Sequence, residues 1–208
     1  MDILVTGGCG FIGCNLVPAL IIQGHRVFVV DDLSAGTSAG DLIEACNSAG
    51  VAPPPVDLAS VRSGLWIMNS ISERYRFQAI YHLASIGSPP RYKAEAIHTL
   101  RTGAEDTQSV LQYALNNGSR FLLASTSEVY GDPDLDHHPQ DEEYHGNVSP
   151  VGPRSMYDES KRYAEALTVA YAAQGVDARI ARIFNTYGPW MNLHDGRMIP
   201  EFVRSALL

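Results

Sequence analysis

Thr6-Gly7-Gly8-Cys9-Gly10-Phe11-Ile12-Gly13 decides how this chain folds. Its glycines at 7, 10 and 13 follow the apolar run Ile3 to Thr6 and lead into a helical stretch, Phe11 to Gln23. Alone, a Gly-x-x-Gly-x-x-Gly pattern is often only a turn. Between a strand and a helix, it offers backbone N–H groups and the positive end of a helix dipole to a pyrophosphate. Gly7, Gly10 and Gly13 are therefore read as cofactor-binding positions. Asp31 ends the next apolar run, near the spacing of about 20 residues at which an acid meets the adenosine ribose. A carboxylate there repels a 2′-phosphate, so the expected cofactor is NAD rather than NADP. Pro18 conflicts with this picture, because a proline inside a helix costs about 3 kcal/mol unless it is accommodated.

Outward from that turn, strand and helix alternate. Ile3 to Thr6, Val27 to Val30, Ala79 to Leu83, Phe121 to Ser125 and Ala178 to Ile183 read as buried strands, with a further short one expected between Val51 and Asp57 beside Pro53-Pro54-Pro55. Amphipathic helices are expected near Ser60 to Tyr75, Ala94 to Asn116 and Met156 to Gln174. The alternation predicts an α/β fold, a doubly wound parallel Rossmann-type sheet covered on both faces. Gly131 to Gly152 is a long polar loop, and its length makes it a candidate cover over a site.

Composition narrows the function. The chain has 208 residues, 45% of them hydrophobic, enough for a sizeable core. A net charge of −8 with scattered arginines argues against nucleic acid or an anionic membrane as partner. The three cysteines, Cys9, Cys14 and Cys46, read as reduced thiols of a cytoplasmic protein. No apolar run approaches a membrane span, and Met1-Asp2 leads directly into a strand, so no signal peptide is expected. His137 and His138 read as a solvated pair, because no further metal ligands stand at suitable spacing.

Chemistry is carried further along. Tyr157 and Lys161 are four residues apart, which in a helix puts them on one face. An ammonium beside a phenol favours the phenolate, so the tyrosine could exchange a proton near neutral pH. Thr126 and Glu128 emerge where a strand ends, at the sheet edge where open α/β folds bind ligands.

Together these segments resemble the extended short-chain dehydrogenase/reductases, and within them the UDP-glucuronate decarboxylases. The resemblance runs through the glycine turn, His82-Leu83-Ala84-Ser85, Ser88-Pro89-Pro90-Arg91-Tyr92, Ser125 to Pro133, Gly146-Asn147-Val148, Gly152-Pro153-Arg154-Ser155 to Lys161, and Arg182 to Pro189. It implies NAD-dependent decarboxylation of a UDP-sugar acid, UDP-glucuronate to UDP-xylose, through a 4-keto intermediate. Thr126, Tyr157 and Lys161 would handle the C4 hydroxyl proton, and Glu128 would stand near C5. Phe11, Ile12, Asp32, Leu33, Asp57, Leu58, Leu83, Ser85, Thr102, Ala124, Thr186 and Arg197 are implied as cofactor contacts, with Arg101 and Asn185 facing the substrate. A homodimer is implied through the helices Ala94 to Asn116 and Met156 to Gln174.

Ser127 separates this chain from the 4,6-dehydratases, which carry Asp-Glu after the threonine; Glu128 separates it from the 4-epimerases, which usually lack that glutamate. Both remain alternatives. The family's asparagine after Leu-Lys-Thr is Gly103 here, its Gly-Thr is Asp106-Thr107, Trp190 replaces an arginine, and Pro200-Glu201 replaces Ser-Asn. Relatives also continue well past the position of Leu208. The expected organisation is a cofactor domain over 1–189 and the start of a truncated sugar-nucleotide lobe over 190–208. A further alternative follows, a non-catalytic or partner-dependent NAD-binding paralogue.

Overall fold

A computed structural model of the chain describes residues 1–61 and 76–207. Six strands form one sheet: β1 (Asp2–Thr6), β2 (Arg26–Asp31), β3 (Val56–Leu58), β4 (Ala79–His82), β5 (Arg120–Thr126) and β6 (Ala178–Ile183). Their order is β3-β2-β1-β4-β5-β6, and every neighbouring pair is parallel. The apolar runs are continuous rather than alternating because both faces are covered. Ile3, Val5, Val27 and Val29 pack on one face against α1 (Phe11–Ile22) and α2 (Ala39–Ser48). Leu4, Phe28, Ile80, Phe121 and Leu123 point the other way, against α5 (Thr107–Asn117) and α6 (Ser155–Ala173).

The chain builds outward from β1 to β3, then returns so that β4 joins the other side of β1. At that reversal the connections leave in opposite directions, and a crevice opens at the carboxyl ends of the strands. Short β3 agrees with the three prolines before it; Pro55 still serves the sheet, its carbonyl accepting from Val29 N at 3.1 Å. The helix expected over Ser60 to Tyr75 falls largely outside the described residues.

Three expectations change. Helix α2 was not anticipated, although Ser38-x-x-Asp41 announces it: Ser38 Oγ accepts from Asp41 N at 3.2 Å, and Asp41 Oδ2 accepts from Ser38 N at 3.0 Å. The single helix over Ala94 to Asn116 is instead α3 (Pro89–Ala94), α4 (Ala96–Arg101), a π-helical turn over Thr102–Asp106, and α5. The chain bends at Glu95, whose backbone sits at φ −116°, ψ 44°, outside the helical region. At the π turn Gly103 lies against α6, and a Cβ there would stand 2.5 Å from the Ser160 carbonyl oxygen. Gly103 is thus a close-approach position and not merely a lost amide. Finally, α1 runs through Pro18 without ending, so that residue is accommodated.

Candidate active site

The crevice is a cleft of about 510 Å³ along the carboxyl edge of the sheet. At its nucleotide end, Gly7 has φ +70°, and a Cβ there would come within 2.6 Å of Ala84 N, so only glycine fits between β1 and the segment after β4. Gly13 lets α1 close onto the turn, since its Cβ would stand 2.2 Å from Gly8 O. No side chain caps the N-terminus of α1 at Gly10, and its first turn holds no acidic residue. Its N–H groups are therefore available to an anion.

Asp31 is buried, with Oδ2 accepting from Cys9 N at 2.9 Å and Oδ1 from Leu33 N at 2.8 Å. Burial raises its pKa, with these two N–H groups opposing the rise. The carboxylate is thereby fixed to the glycine turn on one side and to its own strand end on the other. Neighbouring Asp32 accepts from Ser34 N at 2.9 Å and lies 3.7 Å from His98 Nε2, whose Nδ1 is 3.1 Å from Glu95. These features suit a dinucleotide: glycine-only backbone under the phosphates, open helix N–H groups, and oriented carboxylates for ribose hydroxyls.

At the other end, β5 delivers Thr126, the turn after it delivers Glu128, and the first two turns of α6 deliver Tyr157 and Lys161. The Thr126 hydroxyl stands near the Tyr157 hydroxyl and favours its ionised form. Lys161 is buried and donates to Ala124 O at 2.7 Å; burial lowers its pKa to about 8, with Glu165 opposing. Tyr157 departs from the expected chemistry. Its pKa is raised, by burial first, while Thr126 and Arg197 pull it down. The ammonium is engaged with the Ala124 carbonyl rather than held against the phenol, so the pair alone does not produce a phenolate.

Glu128 forms an ion pair with Arg154, and the Arg154 guanidinium opposes the rise that burial gives the Tyr92 pKa. Tyr92 stacks on Tyr157, ring centroids 5.0 Å apart and planes 11° from parallel. Beneath them His82 is buried between Thr6 Oγ1 (2.7 Å) and Thr107 Oγ1 (3.0 Å), and burial lowers its pKa to about 3, so it stays neutral. It ties β1, β4 and α5 together under the cleft.

Of the positions anticipated from sequence, Gly7, Gly10, Phe11, Ile12, Asp31, Asp32, Leu83 and Ser85 line the cleft. So do Thr102, Ala124, Thr126, Glu128, Tyr157, Lys161, Asn185, Thr186 and Arg197. Five do not. Gly13 and Leu33 sit behind the turn, Leu33 at φ 59°. Asp57 and Leu58 end β3, one strand beyond Asp31, and Leu58 is 60% exposed. Arg101 faces outward, 3.7 Å from Glu105, because Thr99 and Thr102 take the inward face of that helix. Tyr92 and Arg154 also line the cleft although sequence did not single them out; both lie inside quoted motifs, but nothing local to them signals which side chain turns inward.

The loop expected as a cover lies elsewhere: among the described lining residues none comes from 131–152. Arg182 holds Glu165 through Nε (3.0 Å) and Nη2 (2.8 Å) and gives Nη1 to Tyr130 Oη (2.9 Å) and Glu142 O (3.1 Å). Arg162 donates to His145 O at 3.3 Å, so the loop is anchored beside β6 and α6. His137 stacks on Tyr144 at 4.0 Å and hydrogen-bonds Asp134.

The model of the NAD dependent epimerase/dehydratase family matches residues 3–208, nearly the whole chain. The chain belongs to this family. A UDP-glucuronic acid decarboxylase 1 from Xenopus tropicalis is 43% identical over 213 residues, covering 99% of this chain and 46% of the relative. UDP-glucuronic acid decarboxylase 1 of Arabidopsis thaliana is 44% identical over 210 residues, covering 100% and 45%. This family member spans about half the length of those curated relatives. Among solved structures, a dTDP-glucose 4,6-dehydratase from Streptomyces venezuelae with NAD and TYD bound superimposes with a TM-score of 0.79 at 30% identity, over 100% of this chain and 62% of that one. Among the described residues no helix is long and apolar enough to cross a membrane.

Proposed function

We propose that this chain is the catalytic part of an NAD-dependent UDP-glucuronate decarboxylase, forming UDP-xylose through a 4-keto sugar. One observation carries the reading: the turn after β5 places Glu128 in an ion pair with Arg154 beside Tyr157, and the residue before Glu128 is Ser127. A dehydratase needs an acid and a base there to remove water; serine supplies neither at neutral pH. The whole-chain similarity to proteins named UDP-glucuronic acid decarboxylase supports the same conclusion.

The residues fit NAD. Gly7, Gly10, Phe11 and Ile12 would take the pyrophosphate, Asp31 and Asp32 the adenosine ribose, and Tyr157 with Lys161 the nicotinamide ribose. Bound NAD would supply a hydride acceptor whose positive ring adds to the pull of Arg197 on the Tyr157 phenol. Thr126 and Tyr157 form a hydroxyl pair able to accept a proton from a sugar hydroxyl. Lys161, with a pKa near 8, would hold the nicotinamide ribose and can exchange a proton near neutral pH. Glu128, paired with Arg154 at the cleft wall, would turn to orient the sugar ring.

Residues 1–189 would form the cofactor domain and 190–208 the start of the sugar-nucleotide lobe. Exposed Ile97 and Leu100 on α4 and Tyr163 on α6 support a homodimer, which light scattering of the purified chain tests. Buried free thiols at Cys9, Cys14 and Cys46 support a cytoplasmic location. The deciding experiment incubates the chain with NAD and UDP-glucuronate and identifies products by mass spectrometry. UDP-xylose is the expected product. A dehydrated or epimerised sugar would overturn the reading, and calorimetric NAD binding without turnover would favour the partner-dependent paralogue.

A further inference from the structure

Asp158 directly follows Tyr157 on α6 and is only 9% exposed. Its Oδ1 is enclosed with no hydrogen-bond partner, an arrangement that folded proteins seldom tolerate without a use for it. The ionisable groups around it are Arg154 four residues earlier, Glu128 on the turn after β5, Tyr92 on α3, and its neighbour Glu159. Arg154 is already paired with Glu128 and lies close enough to Tyr92 to act on its phenol. Arg154 pairs with the Glu128 carboxylate in the cleft, and its backbone carbonyl accepts from Asp158 N at 3.1 Å, so the second carboxyl group lies one helical turn from the same arginine. A guanidinium has five N–H donors and can pass between two such acceptors with little motion.

We propose that Asp158 is a positioning residue that takes over the Arg154 guanidinium when Glu128 leaves it to engage the sugar. Breaking the Glu128–Arg154 pair with nothing in reserve would strand a partly buried cation, which is strongly unfavourable. A second acceptor already in place removes that barrier. Burial raises the Asp158 pKa to about 6, with Arg154 pulling it down and Glu128 pushing it up. Its proton near neutral pH therefore reports where Arg154 points. Because the folded pKa exceeds the ordinary 3.8, the folded state is favoured at low pH and loses stability as pH rises through about 6.

The inference rests on the decarboxylase reading only for the identity of the sugar, and its test does not require turnover. In the full chain labelled with ¹³C at aspartate carboxyl groups, the Asp158 signal is assigned by its loss in Asp158→Asn and titrated. The expected midpoint lies near 6 and falls by about one pH unit in Glu128→Gln, an isosteric change at a part-exposed site. Asp158→Asn should melt above the parent at pH 8, by less at pH 5, and level with it only below the ordinary carboxylate value of 3.8. On UDP-glucuronate it should lose about ten-fold or more in kcat with KM within about two-fold, partly rescued in Asp158→Glu. An Asp158 midpoint unmoved by Glu128→Gln overturns the inference, as does a melting profile whose pH dependence Asp158→Asn leaves unchanged. Coupled titration in a chain that turns over no UDP-glucuronate would support the inference and sink the decarboxylase reading.

Discussion

The two ends of the cleft are built from different materials. At the nucleotide end the decisive feature is absent side chains: Gly7 and Gly13 leave no room for a Cβ, so backbone rather than side chain forms that wall. At the catalytic end the decisive feature is what burial does to side chains. Tyr157 is pushed up, Lys161 down to about 8, and Arg154 is shared between neighbours. A backbone site tolerates any charge state but no added volume. A side-chain site tolerates small volume changes but depends on each proton, and substitutions and pH should separate the two.

The largest effect belongs to the catalytic end. Tyr157→Phe removes the hydroxyl beside Thr126 and should lower kcat by about 10³-fold, with calorimetric NAD affinity within about two-fold of the parent. A comparable loss of NAD binding would show that the two ends are not separable. Gly13→Val tests the converse, because its Cβ would overlap Gly8 O, 2.2 Å away. Loss of NAD binding and of about 3 kcal/mol in denaturant stability is expected; unchanged values would mean that the turn relaxes.

Lys161 supplies a pH test of similar size. Its folded pKa of about 8 lies below the ordinary 10.5, so between those values the unfolded chain holds a proton that the folded one does not. Stability should therefore rise with pH across that window, by on the order of 3 kcal/mol, and the rise should vanish in Lys161→Met. Chemical denaturation at pH 8 and pH 10 checks it. The smallest effect is expected at Gly103→Ala, where a Cβ 2.5 Å from Ser160 O should cost about 2 kcal/mol by separating α6 from the π turn. A stabilised variant would show that this helix contact is slack.

Legibility followed the same division. The glycine spacing, Asp31 and the buried apolar runs are local patterns, and they gave the strand positions, the parallel sheet and the nucleotide end. Helix α2 was equally local, in Ser38 and Asp41, but passed unread beside Gly36 and Gly40. The π turn was not local: what matters about Gly103 is Ser160, 57 residues away in sequence. Arg101 and Arg154 are both arginines within helix-forming segments, and only packing decides that Arg101 meets Glu105 in solvent while Arg154 meets Glu128 in the cleft. The loop over 131–152 was read as a cover from its length, whereas Arg182 and Arg162, from β6 and α6, hold it aside.

By itself, then, the sequence determined a doubly wound α/β chain with a dinucleotide turn and a tyrosine–lysine pair on one helix, because strand and helix periodicity and glycine's missing Cβ act over a few residues. Tertiary structure decided which charges meet. It put Lys161 on the Ala124 carbonyl, stacked Tyr92 on Tyr157, paired Arg154 with Glu128 and buried Asp158 one helical turn beyond that arginine. Those outcomes depend on desolvation and on distances between elements remote in sequence, which no local pattern encodes.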